Sequence, residues 1–327
     1  MTTTRRHALL ALATFPSVLP GLAWAEDWPA AKPITYVVPF TPGGSTDIIG
    51  RTLAQKLGEA LKQSVVVDNK PGQAGGIGAT YVAKAAPDGY TLFGGTISTH
   101  AINASLYKNL PYDPVKDFEP VSLVATLPNV LIINPNLGVN TVAELIALLK
   151  RDSGKRLFAS SGAGTSTHLA GEMFGDMIGV QLTHVPYKGT PPALTDVASG
   201  QVPFMFDQMT AALPLAKVGR LKLLAVTTGK RIALAPELPT MIESGVAGFE
   251  MTSWQAVYAP KGTPKSIVQR LNAEIIKALK TPDVQAKLEG QLGMNIVGSS
   301  PEELAAHMAR EIPRWAALVK KSGAEPG

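Results

Sequence analysis

The chain has 327 residues, of which 45% are hydrophobic and 6% aromatic, and it carries a formal net charge of +5 with no cysteine. This length suits two domains, each with a core of its own. The small charge excess and the few aromatic side chains argue against a nucleic-acid partner. The lack of cysteine excludes disulfides, thiolate metal sites, a cysteine nucleophile and a lipoprotein anchor.

The first 25 residues have the pattern of a secretory signal peptide. Arg5 and Arg6 precede an apolar stretch over residues 8–22, and residues 23–25 (Ala-Trp-Ala) fit a cleavage site of the small-x-small type. We therefore expect a periplasmic protein whose mature chain begins at Glu26, exported by the general secretory or the twin-arginine route. No later stretch reaches the roughly 18 apolar residues of a membrane span, so the mature chain is expected not to be membrane-inserted.

The first predicted unit is a strand, a glycine loop and a helix. Residues 34–38 are mostly β-branched, and apolar residues recur with helical spacing from position 49 to position 61. The loop over residues 39–47 joins them. Its two glycines let the backbone approach a ligand, and Ser45, Thr46 or Asp47 is expected to cap a helix whose free N–H groups attract anions. An ordinary strand-to-helix turn would have the same pattern.

Two similar units follow. A strand at residues 65–67 leads into a glycine loop and a helix, and a strand at residues 90–93 leads into a second glycine loop and a short helix. Consecutive units of this kind predict a mostly parallel sheet with a ligand crevice at the carboxyl ends of its strands. All three loops are therefore expected at one edge of the sheet.

A second series of strands and helices begins after a long apolar run. Residues 121–134 could form one long strand, or a strand that crosses from one domain to another, and Thr141 with Glu144 predicts a capping box. A strand at residues 158–160 precedes a fourth glycine loop, residues 161–168. A dinucleotide site is a poor interpretation of this loop, because Thr167 replaces the third glycine of that fingerprint. Its hydroxyl side chains favour hydrogen bonds to a small polar group, and a plain capped helix start is the alternative.

Three further strands and a mainly helical C-terminal part are expected in the rest of the chain. Strands are expected at residues 201–206, at residues 221–227 and at residues 254–258, the last being the candidate return to the first domain. The C-terminal part is mainly helical, and Ser300 with Glu303 predicts a second capping box. Lys188, in the loop before a helix that Pro191 opens, could neutralise an anion or simply be solvated.

No catalytic motif is present. The sequence lacks a His-Glu-x-x-His pair, a Gly-x-Ser-x-Gly elbow and a phosphate-binding loop. The histidines at positions 100, 168, 184 and 307 are expected to make structural hydrogen bonds rather than to act in catalysis. We therefore predict binding rather than turnover, with no catalytic residue, no metal site and no cofactor.

Short motifs run through the chain in a fixed order and cover nearly all of the mature sequence. They are Val38–Phe40 with Pro42–Gly44 and Asp47, Asn69–Gly72 with Gly75–Gly78, Pro87–Leu92, Leu110–Pro114 with Asp117 and Phe118, His184–Gly189, Pro236 with Pro239, Thr240 and Gly245, and Trp254 with Ala259, Pro260 and Gly262–Pro264. With these motifs the chain resembles the Bug family, the periplasmic solute-binding proteins of tripartite tricarboxylate transporters. Asp68 and Gln73 depart from the family pattern, and Gln73 leaves the identity of the ligand open.

The resemblance implies an α/β fold of the two-domain periplasmic-binding-protein type (Venus flytrap, type II), with mostly parallel sheets and flanking helices. Domain 1 would comprise residues 26–125 and 253–327, domain 2 residues 126–252, and the ligand cleft would lie between them. The implied ligand contacts in domain 1 are Phe40, Gly43, Gly44, Ser45, Thr46, Asp47, Gly75, Gly76, Thr96 and Ser98. Those in domain 2 are Ser161, Gly164, Thr165, Tyr187 and Asp207.

The function implied by the resemblance is capture of a small carboxylate by domain closure. The ligand would be a di- or tricarboxylate, an amino acid or an aromatic acid, and a monomeric protein would deliver it to the membrane permease of a tripartite tricarboxylate transporter. A periplasmic sensor that presents its closed form to a receptor, or a periplasmic enzyme acting on a small organic acid, are the alternatives. Asp207 would repel a carboxylate in the cleft unless the ligand carried an amine or hydroxyl, and a capping or hinge role would explain it equally.

Overall fold

The computed structural model describes residues 28–322. The predicted signal peptide lies outside these residues. Within them, no helix is long and apolar enough to cross a membrane.

The first three strands and helices alternate along the chain, as the glycine loops predicted. They are β1 (Ile34–Val38), α1 (Ser45–Leu61), β2 (Val65–Asn69), α2 (Gly76–Ala83), β3 (Thr91–Thr96) and α3 (Asn103–Leu106), which a π-helical turn over Ser98–Ile102 precedes. Strand β1 lies between β2 and β3 and is parallel to both, with Tyr36 opposite Val67 and Leu92. The loops that follow these parallel strands therefore lie at one edge of the sheet.

A strand of 16 residues, β4 (Phe118–Ile133), connects this part of the fold to the next. The following elements are α4 (Val142–Arg151), β5 (Leu157–Ser160), α5 (Ser166–Ile178), β6 (Thr183–Pro186), α6 (Thr190–Ser199), β7 (Phe204–Gln208), α7 (Met209–Lys217) and β8 (Lys222–Val226). The chain ends with β9 (Thr252–Pro260), α8 (Lys265–Leu279), α9 (Pro282–Gln285), a second π-helical turn over Ala286–Gln291, β10 (Asn295–Ile296) and α10 (Pro301–Ser322). Helix α7, which contains Pro214, had no counterpart in the sequence prediction.

The described strands join in the order β2-β1-β3-β9-β4-β7-β5-β6, with β8 and β10 also paired to β4. Residues 118–128 of β4 pair with β9, and residues 129–133 pair with β7 and β8, all antiparallel. Strands β5, β6 and β7 are parallel to one another. The strands expected at residues 121–134 and at residues 254–258 are thus present as β4 and β9. We call the part built on β1, β2, β3, β9, β10 and residues 118–128 lobe 1, and the part built on residues 129–133 and β5–β8 lobe 2.

Capping fixes where several helices begin. The Thr141 hydroxyl accepts a hydrogen bond from the Glu144 N–H at 3.1 Å, and Ser300 does the same for Glu303 at 3.1 Å. Glu303 also accepts from the Ser300 N–H at 2.8 Å, so both predicted helix starts are confirmed. The predicted cap of α1 by residue 45, 46 or 47 is wrong. Gly44 holds the N-cap position, and because it has no side chain, α1 begins without a side-chain cap.

The buried core is divided between the lobes and a layer that joins them. In lobe 1, Leu53 of α1 packs in one cluster with Leu271 of α8. A further cluster contains Phe174 and Phe206 of lobe 2 together with Trp254 of β9 and several residues of α10. This shared layer lies behind the region where the glycine loops of the two lobes meet.

Helix α5 packs so closely on β5 that a single methyl group has no room at Gly171. A Cβ there would lie 2.1 Å from Cε2 of Phe158. We expect Gly171→Ala to lower the free energy of unfolding by about 1–3 kcal/mol through this overpacking, although alanine favours a helix by about 1 kcal/mol. Urea denaturation measures the change, with Gly290→Ala as the control because no atom of residues 28–322 lies within 4 Å of its Cβ position. Equal midpoints for the two variants would contradict the prediction.

Candidate functional site

A small cavity of about 30 Å³ lies where the loops of the two lobes face each other. Lobe 1 contributes Phe40, Gly44, Ser45, Thr46, Thr96, Ile97, Ser98, Ser253, Trp254 and Gln255, and lobe 2 contributes Ser161, Ser166, Thr190 and Gln208. Eight of these residues carry a hydroxyl group, and none of the described lining residues carries a charge. A guest in this cavity would therefore be held by hydrogen bonds and backbone dipoles rather than by an ion pair.

The first turn of α1 forms one wall of the cavity. Gly43 turns the chain with a φ of 89°, a conformation that favours glycine, and Gly44, Ser45 and Thr46 follow it along the cavity wall. The first backbone N–H groups of a helix have no partner within the helix, and its N-terminus carries a partial positive charge. The 17 residues of α1 are enough to align the peptide dipoles over several turns, so the N-terminus of this helix favours an anion at this end of the cavity.

Asp47 stabilises this turn from behind. Its Oδ2 accepts hydrogen bonds from the Gly43 N–H and from Arg51 Nε, both at 2.9 Å, and its Oδ1 accepts one from Asn69 Nδ2 at 3.0 Å. Burial acts to raise the pKa of Asp47, but the hydrogen bonds from Arg51, Gly43 and Asn69 together hold it below its usual value. The Asp47 carboxylate therefore makes its hydrogen bonds to the protein itself, and Asp47 is not among the residues that line the cavity.

The first turn of α5 forms the opposite wall. Thr165 caps this helix of 13 residues by accepting a hydrogen bond from the His168 N–H at 3.3 Å, and its own hydroxyl donates to the Gly162 carbonyl at 2.7 Å. Ser161 and Ser166, on either side of the cap, line the cavity. Two helix N-termini, one from each lobe, therefore meet at the same cavity.

The histidines behind this loop make structural contacts. The Gly164 N–H donates to Nδ1 of His168 at 3.1 Å, and the His168 ring stacks on His184 with centroids 3.8 Å apart. His184 Nε2 lies 2.6 Å from the Ser160 hydroxyl. Burial and the neighbouring His168 lower the pKa of His184 to about 3, so its ring is neutral at physiological pH.

Hydrogen bonds join the lobes across the cavity. The Ser45 hydroxyl donates to Oε1 of Gln208 at 3.0 Å, and Nε2 of Gln208 donates to the Ser253 hydroxyl at 3.3 Å. The Ser166 N–H donates to the Ser98 hydroxyl at 3.3 Å. The two lobes are thus in direct contact, and Gln208 bonds to α1 and β9 at once.

The predicted contact residues fall into two groups. Seven of them line the cavity, namely Phe40, Gly44, Ser45, Thr46, Thr96, Ser98 and Ser161. The other eight lie outside the lining, namely Gly43, Asp47, Gly75, Gly76, Gly164, Thr165, Tyr187 and Asp207.

Several residues of the second group shape the site without lining it. Gly75 leaves space for its neighbours, since a Cβ there would lie 2.6 Å from Cγ2 of Thr99 and 3.5 Å from Cζ of Phe40. The Tyr187 hydroxyl donates to Asp196 at 2.6 Å, and burial with that carboxylate raises the pKa of Tyr187 to about 12. Lys188, the candidate cation, is exposed.

Asp207 is buried beside the cavity. Its Oδ1 accepts a hydrogen bond from the Gln208 N–H at 2.7 Å, whereas Oδ2 has no hydrogen-bond partner within the described chain. Burial raises the pKa of Asp207 to about 7, and the Thr190 side chain and the Gln208 N–H offset this only in part. Asp207 therefore lies behind the wall and is protonated readily.

The cavity also contains residues that the sequence prediction did not assign to the site. They are Ile97, Ser166, Thr190, Gln208, Ser253, Trp254 and Gln255. Ser166 and Thr190 are the first residues of their helices, and Gln208 is the last residue of β7. Position at a helix start or a strand end would have identified these three. Residues 253–255 lie on β9, where Trp254 belongs to one of the motifs of the family resemblance but no glycine loop or helix start marks a ligand contact.

Two α/β lobes that are joined by crossing strands, with a polar cavity between their helix N-termini, define the class of periplasmic solute-binding proteins. A family model described as "Tripartite tricarboxylate transporter family receptor" matches residues 49–324. The chain therefore belongs to this family, and the Bug resemblance and the predicted fold class are confirmed.

Relatives and solved structures agree with this assignment. Protein BugT of Bordetella pertussis is 37% identical over 326 residues, which cover 99% of each chain. The structure of Rpa4515 from R. palustris with adipate has a TM-score of 0.88 and 42% identity, and the match covers 92% of this chain and 100% of that one. MatC from Rhodopseudomonas palustris, solved with bound malate, has a TM-score of 0.85 and 33% identity over 89% of this chain and 99% of that one.

Proposed function

We propose that this protein captures a small carboxylate between its lobes and delivers it to the membrane permease of a tripartite tricarboxylate transporter. One observation carries the proposal: the first turns of α1 and α5, which belong to different lobes, line the same cavity. Eight of the residues that line this cavity carry a hydroxyl group, and none of the described lining residues is charged. Both helices are long enough to present a full partial charge at the N-terminus. The adipate and malate in the related structures are dicarboxylates, which suits a site with an anion-binding helix start at each end.

The energetics favour a carboxylate over a neutral guest. Each helix N-terminus stabilises an anion by roughly 0.3–1 kcal/mol, and by up to about 2 kcal/mol when partly buried. Hydrogen bonds to a charged acceptor contribute roughly 1.5–3 kcal/mol each. Ser45 and Ser166 place a hydroxyl beside each helix start, so both ends of a short dicarboxylate would meet donors.

We propose that the lobes act as the two domains of a Venus flytrap. Domain 1 would comprise residues 26–125 and 253–327 and domain 2 residues 126–252, with β4 and β9 as the hinge. A ligand stabilises the closed arrangement only by its extra affinity for that state, and only that state offers donors from both helix starts. Residues 1–25 would be a signal peptide that is removed on export to the periplasm.

The contacts we propose to the ligand are those of the cavity wall. They comprise the seven predicted residues that line it, together with Ser166, Thr190, Gln208, Ser253 and Gln255. Gly43, Asp47, Gly75, Gly164 and Thr165 would act by shaping the two glycine loops.

Calorimetric titration of the mature protein tests the proposal. We expect saturable binding of one molecule of adipate, malate or another small carboxylate, and adipamide, the neutral diamide of adipate, should bind at least about 100-fold more weakly because its amides lack the charge that the helix starts stabilise. NMR of the carboxylate during a long incubation should show no product. Stoichiometric turnover would indicate the enzyme alternative, and equal affinity for adipate and adipamide would exclude an anion site.

Deletion of the gene distinguishes transport from sensing. We expect uptake of the bound carboxylate by intact cells to fall to background, because the permease would no longer receive ligand from the binding protein. A plasmid that carries the gene should restore uptake. Undiminished uptake with a lost transcriptional response would instead support the sensor alternative.

A further inference from the structure

Helix α10 carries a buried carboxylate that hydrogen-bonds two tryptophans. Oε2 of Glu311 accepts from Trp254 Nε1 at 3.0 Å and from Trp315 Nε1 at 2.9 Å, and Oε1 accepts from Arg314 at 3.1 Å. Burial acts to raise the pKa of Glu311, but the bonds from Trp315, Trp254 and Arg314 hold it below its usual value, so the side chain is charged at neutral pH.

The first of these tryptophans belongs to the wall of the cavity. Trp254 lies on β9 between Ser253 and Gln255, and all three residues line the cavity. It sits opposite Thr126, close to the point where β4 leaves lobe 1. His307 packs edge-on against the Trp254 ring at 5.1 Å, so two residues one turn apart on α10 hold this indole.

The second tryptophan lies where the lobes touch away from the cavity. Trp315 lines an apolar pocket of about 90 Å³ together with Leu318 of α10 and Leu169, Met173 and Met177 of α5. Helix α5 begins at the cavity with Ser166 and passes this pocket with its later turns. Glu311 thus stands between a wall of the cavity and a contact surface of the two lobes.

The geometry points to Glu311 as a positioning residue for carboxylate capture, which holds Trp254 and with it the wall segment 253–255 in the arrangement that the closed lobes require. Glu311 itself is not among the residues that line the cavity. A buried charge is seldom needed for stability alone, since apolar side chains of similar size often stabilise a core as well. Two hydrogen bonds to one oxygen additionally fix the orientation of both indoles, which apolar packing does not.

This inference rests on the proposed carboxylate binding, and adipate is the probe that tests it. Glu311→Gln keeps an oxygen that can accept from both indoles, and we expect its Kd for adipate to stay within about twofold of wild type. Glu311→Leu removes the acceptor, and we expect its Kd to rise about tenfold, the equivalent of a lost hydrogen bond. Arg314→Ala should have little effect, because Arg314 is half exposed and bonds only the other oxygen.

A matched variant separates positioning from stability. Glu274 on α8 is also a buried glutamate of lobe 1 with two cationic partners, Arg270 and Lys277, and it is remote from the cavity lining. Glu274→Leu should lower the Tm while leaving the Kd for adipate unchanged. If Glu311→Leu behaves in the same way, Glu311 is only structural and the inference is overturned.

Three further outcomes remain distinguishable. If Glu311→Leu does not fold, Trp254→Phe cuts the same link while Glu311 keeps Trp315 and Arg314, and a Kd within twofold of wild type would overturn the inference. If the wild-type protein binds adipate and Glu311→Leu binds it equally well, the proposed function stands and the inference falls. If the wild-type protein binds neither adipate nor any other carboxylate, the proposed function fails and takes the inference with it.

Discussion

Gly44→Trp is expected to abolish carboxylate binding while the protein remains folded. Gly44 has a φ of −80° and a ψ of 171°, which any residue can adopt, so the substitution introduces no backbone strain. An indole at this position would occupy the cavity of about 30 Å³ and hold the lobes apart. Calorimetry should show a Kd for adipate raised by at least about 100-fold, the equivalent of roughly 2.7 kcal/mol, with an unchanged far-ultraviolet circular dichroism spectrum.

Two controls make this result specific to the cavity. The nearest atoms to a Cβ on Gly44 are 3.9 Å away, so Gly44→Ala should bind with nearly wild-type affinity. Gly290→Trp places the same indole at an exposed position, where the described part of the chain has no atom within 4 Å of the Cβ position, and should leave the Kd unchanged. Wild-type affinity in Gly44→Trp would exclude the first turn of α1 from the ligand site.

The sequence was sufficient to predict the parts of the site that depend on local structure. Ser45 follows a strand and a glycine turn, and Ser161 lies between a strand and a glycine turn; in parallel units such residues lie at the carboxyl edge of the sheet. That rule needs no knowledge of distant contacts, because the order of strand, loop and helix sets the position. The long strand β4 was predictable for a similar reason, because residues 121–134 are mostly apolar over a stretch longer than an ordinary strand.

The parts that were missed depend on contacts between residues far apart in the sequence. Gln208 reaches Ser45, 163 positions away, only because β7 lies next to β4 in the folded sheet. The direction in which the Asp47 carboxylate points could not be predicted from the sequence either. Its carboxylate could have faced either the ligand or the loop, and Asn69, 22 positions further along, contributes to holding it on the loop.

Asp207 shows how an acidic residue can lie beside the proposed anion site without repelling the ligand. The sequence left two interpretations, repulsion of the ligand or a structural role. Its complete burial behind the wall raises the pKa to about 7, so near neutral pH part of the population carries no charge there. An anion site without a cationic side chain is helped when the nearest buried carboxyl is neutral.

The same pKa predicts a large effect of pH on stability that Asp207→Asn should remove. An aspartate with an ordinary value of 3.8 that titrates at about 7 in the fold holds its proton more tightly when folded. Its contribution to stability is therefore fully present below about pH 4 and is lost as the pH rises through 7, by on the order of 4 kcal/mol. Urea unfolding at pH 4.5 and pH 8 should show wild type losing more stability than Asp207→Asn over this window.

Asp47→Asn provides a control of opposite sign for this experiment. The pKa of Asp47 is lowered in the fold, so its contribution is present above the unfolded value and is lost as the pH falls through the folded one. Asp47→Asn should thus be less stable than wild type by a similar amount at pH 4.5 and at pH 8 and approach wild type only below about pH 4, whereas the stability of Asp207→Asn relative to wild type should increase as the pH rises from 4.5 to 8. Because both changes replace a carboxyl by an amide of nearly equal size, the direction of the pH dependence separates the two sites. If the stabilities of wild type and Asp207→Asn instead change in parallel between pH 4.5 and pH 8, then Asp207 ionises normally. The prediction of a neutral carboxyl group behind the cavity wall would then be wrong.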